Sequence, residues 1–366
     1  MKNCYILFLF LFSNIFLFAQ SFTTIPGTDG LSKATAYQIW TKEHLIELGD
    51  SINSYNSHLI YPPSGYANWC AEKHFRLMKD IDNVNQSIGL RYFYGHFHGG
   101  GNKITVAIEA GTYNDPYTAP ATFSALAHNG TIDSLTVAGY INSYPIEYGY
   151  STTAGGAGIT SGIISSNYGG GVTNCISNVV INITPADENC GGGIAGGNQG
   201  TIINCINNGD ITGVNQVAGI AGANMGPIIN CINTGKITAI NSVEGAGGIA
   251  AASTSYTSYI YNCINLGDVE GQSFVGGIAG FEIISAITYC INYGYIKGTN
   301  AVGGICGLRG YNYNNQGTIS NCVNAGVVEG SSDVGSITGK ENKKNATLRY
   351  YNKFFGIVKL VYIFVC

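Results

Sequence analysis

Two histidines separated by a single residue, His96 and His98, are the first side chains in this sequence that could do chemistry. Alternate residues of a strand share a face, so an H-x-H pair can offer two imidazoles to one ligand, with His74 as a candidate third donor to a metal. The plainer reading is two surface histidines on a strand, and no metal site is expected. Carboxylates are the second possibility, because paired acids on one outer face carry glycoside hydrolysis. Asp80 and Asp82 share a face by the same alternation. Asp210 and Asp268 hold one place in a repeated phrase, and Glu270 and Glu329 recur near a corner. Lys236, Tyr295 and Val327 stand at the Asp210 place elsewhere. That scatter is what a solvated corner produces, so no catalytic residue is assigned. Neither H-E-x-x-H nor G-x-S-x-G occurs, which removes the zinc-peptidase and nucleophile-elbow signatures. Gly99-Gly100-Gly101-Asn102 has no helix after it and reads as a corner turn, not a phosphate cradle.

Tyrosines give the binding candidates: Tyr256, Tyr259, Tyr261, Tyr289, Tyr293, Tyr295, Tyr311 and Tyr313. An aromatic stripe on a rigid support can stack on sugar rings or meet a protein partner. Its structural alternative is aromatic laddering between neighbouring strands.

What would position these groups is a repeat. Cys175, Cys205, Cys231, Cys263, Cys290 and Cys322 sit in one phrase, [NY]-C-[IV]-[NS], at intervals of 30, 26, 32, 27 and 32 residues. A second phrase, Gly192-Gly193-Ile194-Ala195-Gly196, returns in step at Ala218–Gly222, Gly247–Ala251, Gly276–Gly280 and Gly303–Gly307, and in worn form at Gly335–Gly339. Self-similarity at such a period marks a solenoid. Helices are excluded: each internal Gly costs a helix ~1 kcal/mol, whereas Ile, Val and Thr suit pleated strands. Three strand-sized pieces are expected per repeat, G-G-I-A-G, T-I-x-N-C-I-N and G-D-I-T-G. They would make one coil of a parallel β-helix, right-handed as parallel crossovers generally are. Ile202, Ile211 and either Cys205 or Ile206 should then point inward. About ten coils at ~4.8 Å give a rod roughly 50 Å long.

One cysteine per coil reads as a column of buried thiols. A disulfide, the alternative, wants Cβ atoms about 3.8 Å apart, shorter than the ~4.8 Å rung. A metal site, the other alternative, would need ligands converging on a point, not spread along an axis.

Four segments are expected. Residues 1–20 hold Lys2, an apolar run from Tyr5 to Phe18 and then Ala19, the pattern of a signal peptide, with an uncleaved anchor as the alternative. Residues 21–90 form a capping segment with a short helix: Leu45, Leu48 and Ile52 fall at helical spacing, with Thr41 as N-cap and Trp40 stapled over Leu45. Residues 91–340 form the β-helix. Residues 341–366 form an atypical tail, either a cap or a truncation.

The G-G-I-A-G and G-T-I-x-N-C-x-N-x-G-x-I-x-G phrases resemble the GLUG repeat of bacterial surface and secreted proteins. They are also similar to the non-catalytic repeat region of IgA-specific metallopeptidases. Ala36–Leu45 and Phe75–Asp82 agree with that context, and the resemblance covers roughly residues 30 to 340. It implies an all-β, right-handed parallel β-helix that serves as a surface scaffold or interaction module without cofactor.

Composition sets the outer limits. The 366 residues include 52 Gly, about twice the ordinary share, and only 10% are charged, less than half of it. A net charge of −4 gives no footprint for nucleic acid. The signal segment and the resemblance together imply the expected function, an exported, extracellular or cell-surface β-helix with adhesion-type binding of a host or environmental glycan or a surface protein. Membrane contact is expected only through the signal segment. A β-helix polysaccharide lyase or glycoside hydrolase is the alternative.

Overall fold

The structure, a computed structural model, describes residues 20–54, 69–110, 120–144, 159–184, 190–240, 245–282, 285–310 and 317–341. The apolar N-terminal run (1–19) and the tail (342–366) lie outside the described residues.

Short strands pair in parallel with their counterparts one repeat away and form four sheets of 10, 7, 9 and 14 strands. Thr201–Ile203, for example, lies between Gly171–Thr173 and Pro227–Ile229, with Ile202 facing Val172 and Ile228. The chain is thus an all-β parallel β-helix.

The coils from Ala195 onward contain five strand pieces where three were expected, and the two coils before them contain four. One coil runs Ala195–Asn198, Thr201–Ile203, Ile206–Asn207, Ile211–Gly213 and Val217–Ala218. The T-I-x-N-C-I-N phrase divides because Asn204 adopts a left-handed φ of 55° and turns the chain from one sheet into the next. Asn174, Asn230, Asn262 and Asn321 do the same in their coils (φ 53–55°), as Asn tolerates better than most residues. The turn decides the inward residue: Cys205 is fully buried and Ile206 is not.

A second division separates Ile206–Asn207 from Ile211–Gly213. The Asn207 side chain turns inward and donates from Nδ2 to Gly209 O at 2.8 Å and to Asn233 Oδ1 at 2.8 Å. Asn233, Asn265 and Asn292 repeat the pattern up to Asn324, which makes a buried amide ladder. Gly209 is required there, since a Cβ would meet Val179 O at 1.9 Å. The preceding coil has Ser177 and Val179 at the Asn207 and Gly209 places and keeps one unbroken strand, Ile176–Ile183.

The core changes along the rod. Phe22, Phe75, Phe93, Phe97 and Phe123 fill the first coils, whereas later rungs are Ile, Val, Ala and Cys. Helix α1 (Lys42–Ser54) covers the start and buries Leu45, Leu48 and Ile52; Thr41 Oγ1 accepts from His44 N at 3.3 Å.

Candidate functional site

Two outward-facing regions hold the sequence candidates. The first lies on the strands His74–Leu77, His96–His98 and Thr131–Asp133, whose register sets His74 beside His96 and His98 beside Asp133. His74 Nδ1 lies 2.9 Å from His98 Nε2, and His98 Nδ1 is hydrogen-bonded to Asp133 Oδ2. A carboxylate only accepts, so His98 carries its proton on Nδ1 when neutral. Its Nε2 then accepts from His74 Nδ1–H, and His74 Nε2 is left with its lone pair. Lys33 Nζ stands 3.8 Å from Asp133 Oδ1, and Arg76 donates to Lys33 O at 2.8 Å. Burial, and then the neighbouring imidazoles, hold His74 and His96 below the ordinary histidine pKa. Burial pushes Asp133 up, but the His98 hydrogen bond and the Lys33 charge outweigh it and leave the carboxyl below its usual range.

This arrangement is a proton-holding chain that engages the ring nitrogens of the weak metal candidates His96 and His98. Both His98 nitrogens and His74 Nδ1 are engaged in hydrogen bonds, while His96 Nδ1 faces Thr131 Oγ1 at 2.9 Å. Among the described residues no three His, Cys, Asp or Glu side chains converge to hold a metal ion.

The second region carries the tyrosines. Tyr259 and Tyr261 flank buried Ile260 on one outward strand face, 39% and 42% exposed. Tyr289 sits at the next corner, 50% exposed, with its ring 5.5 Å from that of Tyr261 in an edge contact. Tyr293 and Tyr256 are exposed, and Tyr295 is half-buried with its hydroxyl donating to Glu329 Oε2. That carboxylate pushes the Tyr295 phenol up to about 12. Tyr311 and Tyr313 lie outside the described residues. In-register laddering does not explain the set, because Tyr259 faces Pro227 and Ala286, and Tyr261 faces Ile229 and Thr288.

Tyr289 has an unusual backbone. It holds the left-handed φ of 57° at the corner where its neighbours place Asn. The outer amides of Asn262, Asn230, Asn204 and Asn174 form a ladder at 2.9–3.1 Å that Tyr289 does not continue. A bulky residue at positive φ is strained, and such strain collects at functional positions.

The candidate acids are engaged in structural contacts. Asp80, Asp210 and Asp268 each accept a backbone N–H from the next coil, at Lys103 (2.8 Å), Lys236 (2.8 Å) and Tyr295 (3.0 Å). Asp82 accepts from the Thr105 hydroxyl at 2.6 Å, and Glu270 pairs with Lys236 at 3.1 Å. Lys297 stands in register between Glu270 and Glu329. An open hollow of about 310 Å³ on this face has one carboxylate, Glu270, among Thr238, Gln272, Lys297 and Thr299. A second hollow, about 570 Å³ along α1, is lined by Glu43, Glu47 and Asp50. Two of these three serve the cap: Glu47 accepts from Ser21 and Phe22 N, and its own backbone N–H and the Thr41 hydroxyl hold Glu43 below its usual pKa.

No family model and no curated protein matches the chain, so the GLUG resemblance rests on the phrases quoted above. A solved structure from Bacteroides ovatus, provisionally named an immunoglobulin A1 protease, matches 75% of this chain and 82% of its own, with a TM-score of 0.50 and 18% identity. That likeness establishes the fold alone. Among the described residues no helix is long and apolar enough to cross a membrane.

Sequence reasoning missed Asp133 as the partner of His98. The signal was present, since T-I-D occupies in its coil the place of H-F-H in the coil before, but 35 residues separate the pair.

Proposed function

We propose that this chain is an exported or surface-attached β-helix scaffold whose tyrosine-bearing face binds a glycan or a surface protein. The observation that carries the reading is Tyr289, where a strained backbone and an interrupted amide ladder accompany an exposed ring set edge-on to Tyr261. Exposed rings on a stiff sheet lose little side-chain entropy when a ligand covers them. An outward location is supported by the apolar N-terminal run and by the name of the Bacteroides protein of like fold. A lyase or hydrolase draws less support, because most candidate acids are already engaged. Glycan-array and cell-binding assays of the wild type beside Tyr261→Ala and Tyr289→Ala test the proposal. Binding that both substitutions weaken is expected, and binding indifferent to both would overturn it.

A further inference from the structure

An uncharged strip with an apolar floor and polar walls runs along the largest sheet. Ile176, Ile206, Ile232, Ile264 and Ile291 stack in register, point outward and stay half-buried. Alternation puts them there, because the Cys before each one and the Asn or Ser after it turn inward. One wall is the exposed amide ladder from Asn174 to Asn262, which stops at Tyr289. In the other wall Asn208 donates to Asn178 Oδ1 at 2.7 Å and accepts from Thr234 Oγ1 at 2.8 Å; Leu266 and Tyr293 continue it, all exposed. No Asp, Glu, Lys, Arg or His occurs in residues 174–178, 204–208, 230–234, 262–266 or 289–293. At ~4.8 Å per rung the strip is roughly 20 Å long.

A column of outward isoleucines marks an interaction surface. The main chain beneath it has nothing to offer a ligand, since Ile206, Ile232 and Ile264 already donate their N–H groups to Cys175, Cys205 and Cys231 carbonyls at 2.9–3.0 Å. An extended peptide brings N–H and C=O groups that need a sheet edge, so a sheet face does not serve it. A flat chain of pyranose rings needs only side chains: its C–H faces are apolar and its hydroxyls stand at the edges. Each ladder amide keeps one N–H and one carbonyl lone pair beyond those the ladder uses. Asn262 Oδ1 receives no ladder amide, because Tyr289 stands at the next corner. The lack of charge suits a neutral sugar and not a uronate.

We propose that this strip binds a neutral, linear polysaccharide with equatorial linkages, laid along the rod at about one ring per rung with its last ring on Tyr289. Equatorial linkages keep such a chain extended and flat, whereas axial ones coil it away from a straight track. The inference rests on the glycan-binding reading of the tyrosine face, which the strip meets at Tyr289, and adds the substrate class.

The test is calorimetric titration of the full chain with β-1,4-linked oligomers of glucose, N-acetylglucosamine, mannose and xylose, from dimer to hexamer. For at least one sugar, affinity should rise with length to about four or five rings and then level. The α-1,4-linked glucose series and a β-linked uronate series should bind at least about tenfold more weakly. Ile232→Thr in the floor and Asn230→Gly in the wall should each weaken the hexamer by about tenfold. Glycine retains the φ of 55° at residue 230, so the second variant keeps the corner. No oligomer bound, affinity independent of length, equal binding of the α-linked series, or wild-type affinity in both variants would each overturn the strip. Array or cell binding that Tyr289→Ala abolishes, with no linear neutral oligomer bound, would overturn the strip alone and leave the tyrosine face standing.

Discussion

The first coils and the later coils share a backbone plan and solve the interior differently. Around residues 75–143 the core is rich in phenylalanine, the strands Lys103–Ala110 and Thr136–Ser143 of the largest sheet run eight residues without a break, and the outer face carries a histidine–aspartate chain. From Thr201 onward the rungs are nearly identical, a buried Asn amide replaces part of the strand, and tyrosines occupy the outside. The regular stack gains a polar spine in which each amide donates to the next. The irregular start gains aromatic bulk beneath its cap. A solenoid can therefore change its core chemistry along the axis while rung-to-rung pairing continues.

The sharpest way to break this comparison is to empty the aromatic core. Phe97→Ala should cost about 3–5 kcal/mol in urea unfolding, and a loss under about 1 kcal/mol would show that the first coils do not depend on it. In the later coils Asn233→Ala removes a ladder member and leaves buried amides unpaired, at a cost of about 1–3 kcal/mol. Ser177→Ala, at the same place one coil before the ladder, should be near neutral because its hydroxyl has no partner. Equal losses in both variants would mean the ladder adds nothing.

Acidity should act oppositely on the two ends. His74 and His96 have folded pKa values below the unfolded 6.5, so the stability they contribute is present above about pH 6.5 and is lost as pH falls through the folded values. His98, Asp133, Lys33 and Glu72 face them and set the size of the effect. Glu282, buried beside Arg309 at 3.9 Å, is pushed from 4.5 to about 7 by burial, against the pull of Arg309. Its contribution is present below 4.5 and is lost as pH rises through about 7. The facing groups are Arg309, Cys306, Ser285 and Gly317, with Glu341 on the far side of Arg309 at 3.6 Å. Hydrogen exchange along the chain should show the first coils loosening in acid and the Glu282 coil loosening toward neutral pH. Glu282→Gln should abolish the second effect alone, and loosening of both ends in the same direction would contradict the assignment.

The smallest expected change is the most pointed. Tyr289→Asn relieves the strained φ and can rejoin the outer ladder, so thermal unfolding should rise by the equivalent of about 0.5–1 kcal/mol while ligand binding falls. Lower stability would show that Tyr289 is placed for packing.

Much of this was legible because the repeat repeats. The Cys and G-G-I-A-G phrases fixed the coil, its parallel stacking and the inward thiols. The five-piece coil was hidden because Asn207 reads as a strand residue, whereas its amide turns inward to Gly209 O and to Asn233 in the next coil. Asp210 and Asp268, two repeats apart, read as a solvated corner, but their carboxylates accept backbone N–H groups of the next coil, a partner that spacing does not reveal. The tyrosines were legible as a group. The strain at Tyr289 was not, because the residue looks like another strand position until φ is known.

The most direct test of a binding scaffold over a β-helix enzyme is to incubate the full chain with a panel of polysaccharides and measure retention and cleavage in the same samples. Retention that Tyr289→Ala weakens, with no new reducing or unsaturated ends, is the predicted result. Release of such ends by the wild type would contradict it.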